Sequence, residues 1–134
     1  VELDPDDAVA YQHLASFYRL TGRLDESIET YQRSLEQNPD SARLNERLAI
    51  LFEFSGNREK AMEHYERAIS LDSSLGESKN NLAYLLAENE GDLDRALDLA
   101  QEAKALLPDN PKTADMAALN LARCIRNRVE PLVV

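Results

Sequence analysis

The residues in this chain best placed to do chemistry are basic. Arg43 and Arg47 lie four residues apart, a spacing that puts both guanidinium groups on one face of a helix. Arg19 joins them from the adjacent helix, the first of the preceding pair. Planar guanidinium forks grip carboxylates through paired N–H···O bonds, so the three arginines suit an acidic stretch of another chain. The opposing reading pairs them with nearby acids, Glu46 and Glu77 among them, and leaves a solvated face. A second set is rich in amides. Asn80, Asn81 and Tyr84 offer donors and acceptors to the backbone of an extended peptide, or serve as ordinary solvated polar residues.

Other reactive side chains lack a constellation. His13 and His64 have no metal-ligand spacing and read as surface or packing residues. Cys124 is the single cysteine, so no internal disulfide forms and the thiol reads as a small apolar group. Asp4-Pro5-Asp6-Asp7 and Glu88-Asn89-Glu90 lack the glycine placement of a calcium loop. No phosphate-cradling loop, nucleophile elbow or zinc spacing occurs. The expectation is a protein without catalysis, metal or cofactor, whose chemistry is recognition.

The elements that must position these residues are set by a repeat. Leu14-Ala15, Leu48-Ala49 and Leu82-Ala83 recur every 34 residues, followed by Tyr18, Phe52 and Leu86. Gly22 and Gly56 come next; the third copy carries one extra residue, so its glycine is Gly91. Ser27, Ala61 and Ala96 then recur in phase, as do Tyr31, Tyr65 and Ala100, and Ser34, Ala68 and Ala103. Pro39, Ser73 and Pro108 close the units. A period of this length marks a solenoid of helical hairpins.

Within each unit the periodicity is helical. Tyr11, Leu14, Ala15 and Tyr18 fall on one stripe, and Leu24, Ile28, Tyr31 and Leu35 on a second. Glycine can end the first helix of a pair, and proline forbids continuation of the second. Small residues such as Ala49, Ala61 and Ala68 are expected where helices cross closely, with Tyr31, Phe52 and Tyr65 filling wider gaps. The extra residue near 87–90 is expected to loosen or lengthen the first helix of the third pair. A terminal helix is expected over about 111–127, with Pro111 in its first turn and a short tail over 128–134.

Asp plus Glu number 25 against 15 Lys plus Arg, an excess that repels a phosphate backbone and argues against nucleic acid. Charges interrupt every apolar stripe, so no helix is expected to insert in a membrane. The chain opens on Val1, and Val1-Glu2-Leu3-Asp4-Pro5 reads as the end of a preceding unit, which implies a longer protein.

The recurring positions resemble the tetratricopeptide repeat. Counted from Ala8, the first unit supplies Tyr11, Leu14, Ala15, Tyr18, Gly22, Ser27, Tyr31, Ser34 and Pro39 at the positions that define that family. Units from Ala42 and Gly76 follow, with Asn45 and Lys79 where the family has a bulky residue. The third unit also resembles bacterial arrays. The resemblance implies an all-α, right-handed solenoid in one domain over 1–134, with repeats at about 8–41, 42–75 and 76–110. Three hairpins plus the capping helix make seven helices. It further implies a concave groove lined by the first helix of each pair. Candidate ligand-binding residues there are Gln12, Ser16, Arg19, Arg43, Arg47, Asn80, Asn81 and Tyr84. The family's carboxylate clamp for chaperone C-termini is not reproduced, because its positions hold Gln12, Ser16, Arg47, Glu77 and Asn81. The expected partner is therefore a peptide or helix of another protein, of acidic character. Two alternatives stand beside it: a spacer that self-associates through the solenoid ends, and a non-catalytic arm of an enzyme encoded elsewhere in a longer chain.

Overall fold

The computed structural model describes residues 8–88 and 92–107, together with Leu119, Ala122, Arg123, Ile125 and Arg126. Among them are six helices and no strand: α1 (Ala8–Leu20), α2 (Leu24–Gln37), α3 (Ala42–Phe54), α4 (Arg58–Leu71), α5 (Gly76–Glu88) and α6 (Leu93–Leu106). The seventh helix lies largely outside the described residues, as do Cys124 and the tail, although the five described positions after 107 are all helical.

The ends of the helices follow from single residues. Gly22 and Gly56 adopt φ of 76° and 81°, a left-handed backbone in which a Cβ is strained. Each closes its helix with the same pair of bonds. Gly22 N–H donates to Arg19 O and Arg23 N–H to Tyr18 O, and Gly56 and Asn57 repeat this on Glu53 and Phe52. These bonds satisfy carbonyls that a helix end would otherwise strand. The Arg23 guanidinium lies 4.7 Å from the centre of the Tyr18 ring, sealing the first cap. At the starts, side-chain oxygens accept free N–H groups: Ser41 Oγ from Leu44 at 3.2 Å, Asn57 Oδ1 from Lys60 at 3.2 Å, and Asp92 Oδ1 from Arg95 at 3.0 Å.

The described spans of the three first helices each have 13 residues; residues 89–91, where the extra residue is expected to loosen or lengthen the first helix of the third pair, lie outside the described residues.

The chain divides into two compact units, residues 1–71 and 72–134. In the first, α1 packs on α2, α3 packs on α4, and α2 joins the two hairpins by packing on α3. Leu44, Leu48, Leu51 and Phe52 of α3, Tyr31 of α2 and Tyr65 of α4 are buried. In the second, α5 packs on α6 around Leu82, Leu85, Leu99 and Ala100. Ala49, Ala61, Ala68, Ala83, Ala96 and Ala103 are fully buried, so the small residues do sit where the packing is tightest. Two hydroxyls break this pattern: Ser27, in the register of Ala61 and Ala96, and Ser34 are both fully buried. Ser34 occupies the register of Ala68 and Ala103, and its Oγ is the one buried side-chain polar atom without a partner among the described residues.

Both residues that depart from the bulky position are also buried, and both are tied to the second helix of their hairpin. Asn45 Nδ2 donates to Ser41 O at 3.0 Å, which leaves its Oδ1 to accept from His64 Nδ1 at 3.0 Å. His64 stacks on Phe52 with ring centres 5.4 Å apart. Lys79 Nζ meets Glu102 Oε2 at 2.7 Å. Each tie satisfies a polar group that burial would otherwise penalise.

Candidate functional site

The outward stripe of α3 comprises Arg43, Arg47, Ile50 and Phe54, at intervals of i, i+4, i+7 and i+11. A helix turns about 100° per residue, which confines these four to one narrow face. The opposite arc carries Leu44, Leu48, Leu51 and Phe52 and is consumed by packing. The stripe therefore faces away from the core for a reason the sequence supplies: two apolar positions per turn point inward, and these four fall between them.

Both guanidinium groups on this stripe are exposed. Among the described residues no acid lies within ion-pairing distance of either. Other arginines differ. Arg23 pairs with Glu26, Arg33 with Glu29 at 2.8 Å, Arg67 with Asp40 at 3.1 Å and Arg123 with Glu88 at 3.0 Å. Among the described residues, then, no acid completes the solvated-pair reading of Arg43 and Arg47. Phe54, at the C-terminal end of the stripe, is 71% exposed, and Ile50 is half-buried.

The remaining candidates fall on different surroundings. Arg19 is exposed at the end of α1, and Ser16 is half-buried on the same helix. The side chain of Gln12 lies outside the described residues. Asn80 is 5% exposed. Asn81 and Tyr84 are half-buried. Tyr84 carries a contact that sequence reasoning missed: the Arg123 guanidinium lies 5.0 Å from the ring centre while holding Glu88. Arg123 follows Tyr84 by 39 residues, a separation at which no local pattern signals the contact.

Among the described residues no group of three or more His, Cys, Asp or Glu side chains converges. His64 is held below its ordinary imidazole range, first by burial and then by Lys60, against an opposing pull from Glu63. Among the described residues no helix is long and apolar enough to cross a membrane.

Comparison with known proteins names the fold. A sequence profile of the tetratricopeptide repeat matches residues 6–74, and a second profile of that repeat matches residues 46–111. The chain belongs to the tetratricopeptide-repeat family. No curated protein matches it in sequence. Solved structures do match in fold. The type III secretion translocator chaperone SycD of Yersinia enterocolitica, in complex with a peptide of the translocator YopD, superposes with a TM-score of 0.79 at 14% identity, covering 98% of this chain and 99% of that one. The first tetratricopeptide domain of Spaghetti (RPAP3), bound to the HSP90 peptide SRMEEVD, gives 0.78 at 17% identity, covering 94% and 96%. BtubC from P. vanneervenii gives 0.78 at 24% identity, covering 95% of this tetratricopeptide chain and 59% of that one. At these identities the likeness is one of fold.

Proposed function

We propose that this protein is a non-catalytic scaffold that binds a peptide or helix of another protein along the first-helix faces of its repeats. Arg43 and Arg47, supported by Arg19, take up carboxylates of the bound segment. One observation carries the reading: two exposed guanidinium groups lack an acid partner among the described residues, in a chain whose acids outnumber its bases by 25 to 15. Support comes from the fold neighbours, two of which hold peptides. It also comes from the family pattern, in which these register positions line a groove. The ligand differs from a chaperone C-terminus, because Gln12, Ser16, Arg47, Glu77 and Asn81 do not reproduce the carboxylate clamp. Exposed charges in water bind weakly to moderately, and salt screens them.

The test is a pull-down with the intact protein, wild type against the double change Arg43→Glu and Arg47→Glu, at low and high salt. Proteins held through the basic stripe are lost from the double variant and elute as salt rises. Equal capture by both forms removes the stripe from the account.

A second reading, end-to-end self-association, is favoured by Phe17. It is 55% exposed, whereas Leu51 and Leu85 at the same register are each 1% exposed. A mass in solution that rises with concentration, and stops rising in Phe17→Ser, supports it; a constant monomer mass rejects it.

A further inference from the structure

The stripe on α3 is not purely basic, and its apolar end narrows the class of segment that fits it. Phe54 follows Arg47 by seven residues and Arg43 by eleven, on the same face. At a rise of about 1.5 Å per residue these separations are about 10 and 16 Å. A phenylalanine left 71% exposed on the same face as two cations lacking acid partners among the described residues makes a mixed surface, charged at one end and apolar at the other. α1 ends the same way, on Leu20, which is 76% exposed. The corresponding residue of α5 is Glu88, so the apolar terminus belongs to the first two repeats. α2 connects to both α1 and α3 through short turns and packs on both, so these two helices run in one direction. Leu20 and Phe54 therefore mark the same end of unit 1–71.

We infer that Phe54 is an apolar anchor point, and that the segment recognised by α3 carries carboxylates at one end and a large apolar residue at the other. Charge complementarity sets the first requirement and exposed aromatic area the second. An extended chain advances about 3.3–3.6 Å per residue, so the apolar residue lies about three to five residues from the acids. This inference rests on the protein-binding reading above and specifies its ligand. Phe54 desolvates only when an apolar side chain covers it, and the arginines fix the direction of the bound segment by holding its acidic end.

Fluorescence anisotropy with synthetic labelled peptides tests it on the whole chain. The probe carries two glutamates, a leucine about four residues beyond them and a neutral polar background. The comparison peptides replace leucine by serine, or both glutamates by glutamine. Phe54→Ser is expected to weaken the full probe about tenfold and to leave the leucine-free peptide unchanged. The double reversal at Arg43 and Arg47 is expected to abolish binding of both. Since Phe54 is already in water, its replacement should leave thermal unfolding where it is, and that measurement accompanies the titration. Equal affinity of wild type and Phe54→Ser for the full probe overturns the anchor while the basic stripe stands. Binding that survives both the reversal and Phe54→Ser overturns the anchor and the protein-binding reading together.

Discussion

At four equivalent register positions α3 presents Arg43, Arg47, Ile50 and Phe54, where α5 presents Glu77, Asn81, Tyr84 and Glu88. The helices beneath are the same. Each has 13 residues and buries a leucine at the same place, Leu48 or Leu82, to 0% exposure. The outward faces differ. On α5 the chain meets its own Arg123, which covers Tyr84 and neutralises Glu88. On α3 no such cover is found among the described residues. A repeat conserves what its neighbours must pack against and leaves the outward face free to vary, so chemistry diverges where packing does not constrain it.

The largest expected effect asks whether the shared frame is energetically shared. Leu48→Ala and Leu82→Ala should each destabilise by about 2–5 kcal/mol, read by urea unfolding. Similar costs sharpen the comparison; a negligible cost at one site breaks it. The second test concerns a register position that only one hairpin fills with a hydroxyl. Ser34→Ala should stabilise the protein by about 1 kcal/mol, because it removes a buried group without a partner and restores the residue found at Ala68 and Ala103. A loss of stability would mean that Ser34 Oγ has a partner after all. The third test opens the cover on α5. Arg123→Ala should cost about 0.5 kcal/mol, the scale of a partly exposed ion pair and a cation–π contact, and should leave acidic-peptide binding at α3 unchanged.

The smallest effect separates the two polar ties. Burial lowers the His64 pKa, so the unfolded chain binds a proton more readily than the folded one. The stability this contributes is complete above the unfolded histidine value of about 6.5 and is lost as pH falls from there through the lower folded value. Denaturation midpoints of wild type should fall between about pH 7 and 5.5 more than those of His64→Gln. Parallel profiles would show that His64 is no more protected from protonation than a free imidazole. The Lys79–Glu102 tie is an ion pair and is tested by salt instead.

Much of this was legible beforehand. The phase of Leu14, Leu48 and Leu82, with the glycines after them, fixes the helices and their turns, because packing and left-handed caps tolerate few residue types. Arg43 and Arg47 could be placed on one exposed face by spacing alone. Asn80 could not be sorted from Asn81: adjacent residues on a helix differ by about 100°, and small errors in the assumed face exchange inside for outside. The His64–Asn45 and Arg123–Tyr84 contacts join residues 19 and 39 apart in sequence, and no local pattern encodes them.

The amino-acid order by itself determined the element type, the hairpin register and the family, because hydrophobic period and turn residues act locally and repeat. Tertiary structure decided which polar side chains find partners. It gave Asn45 a histidine, Lys79 a glutamate and Glu88 an arginine, and it brought no described acid to Arg43 or Arg47. Pairing depends on where a second helix or a distant segment comes to rest, and that is settled by packing rather than by any spacing along the chain.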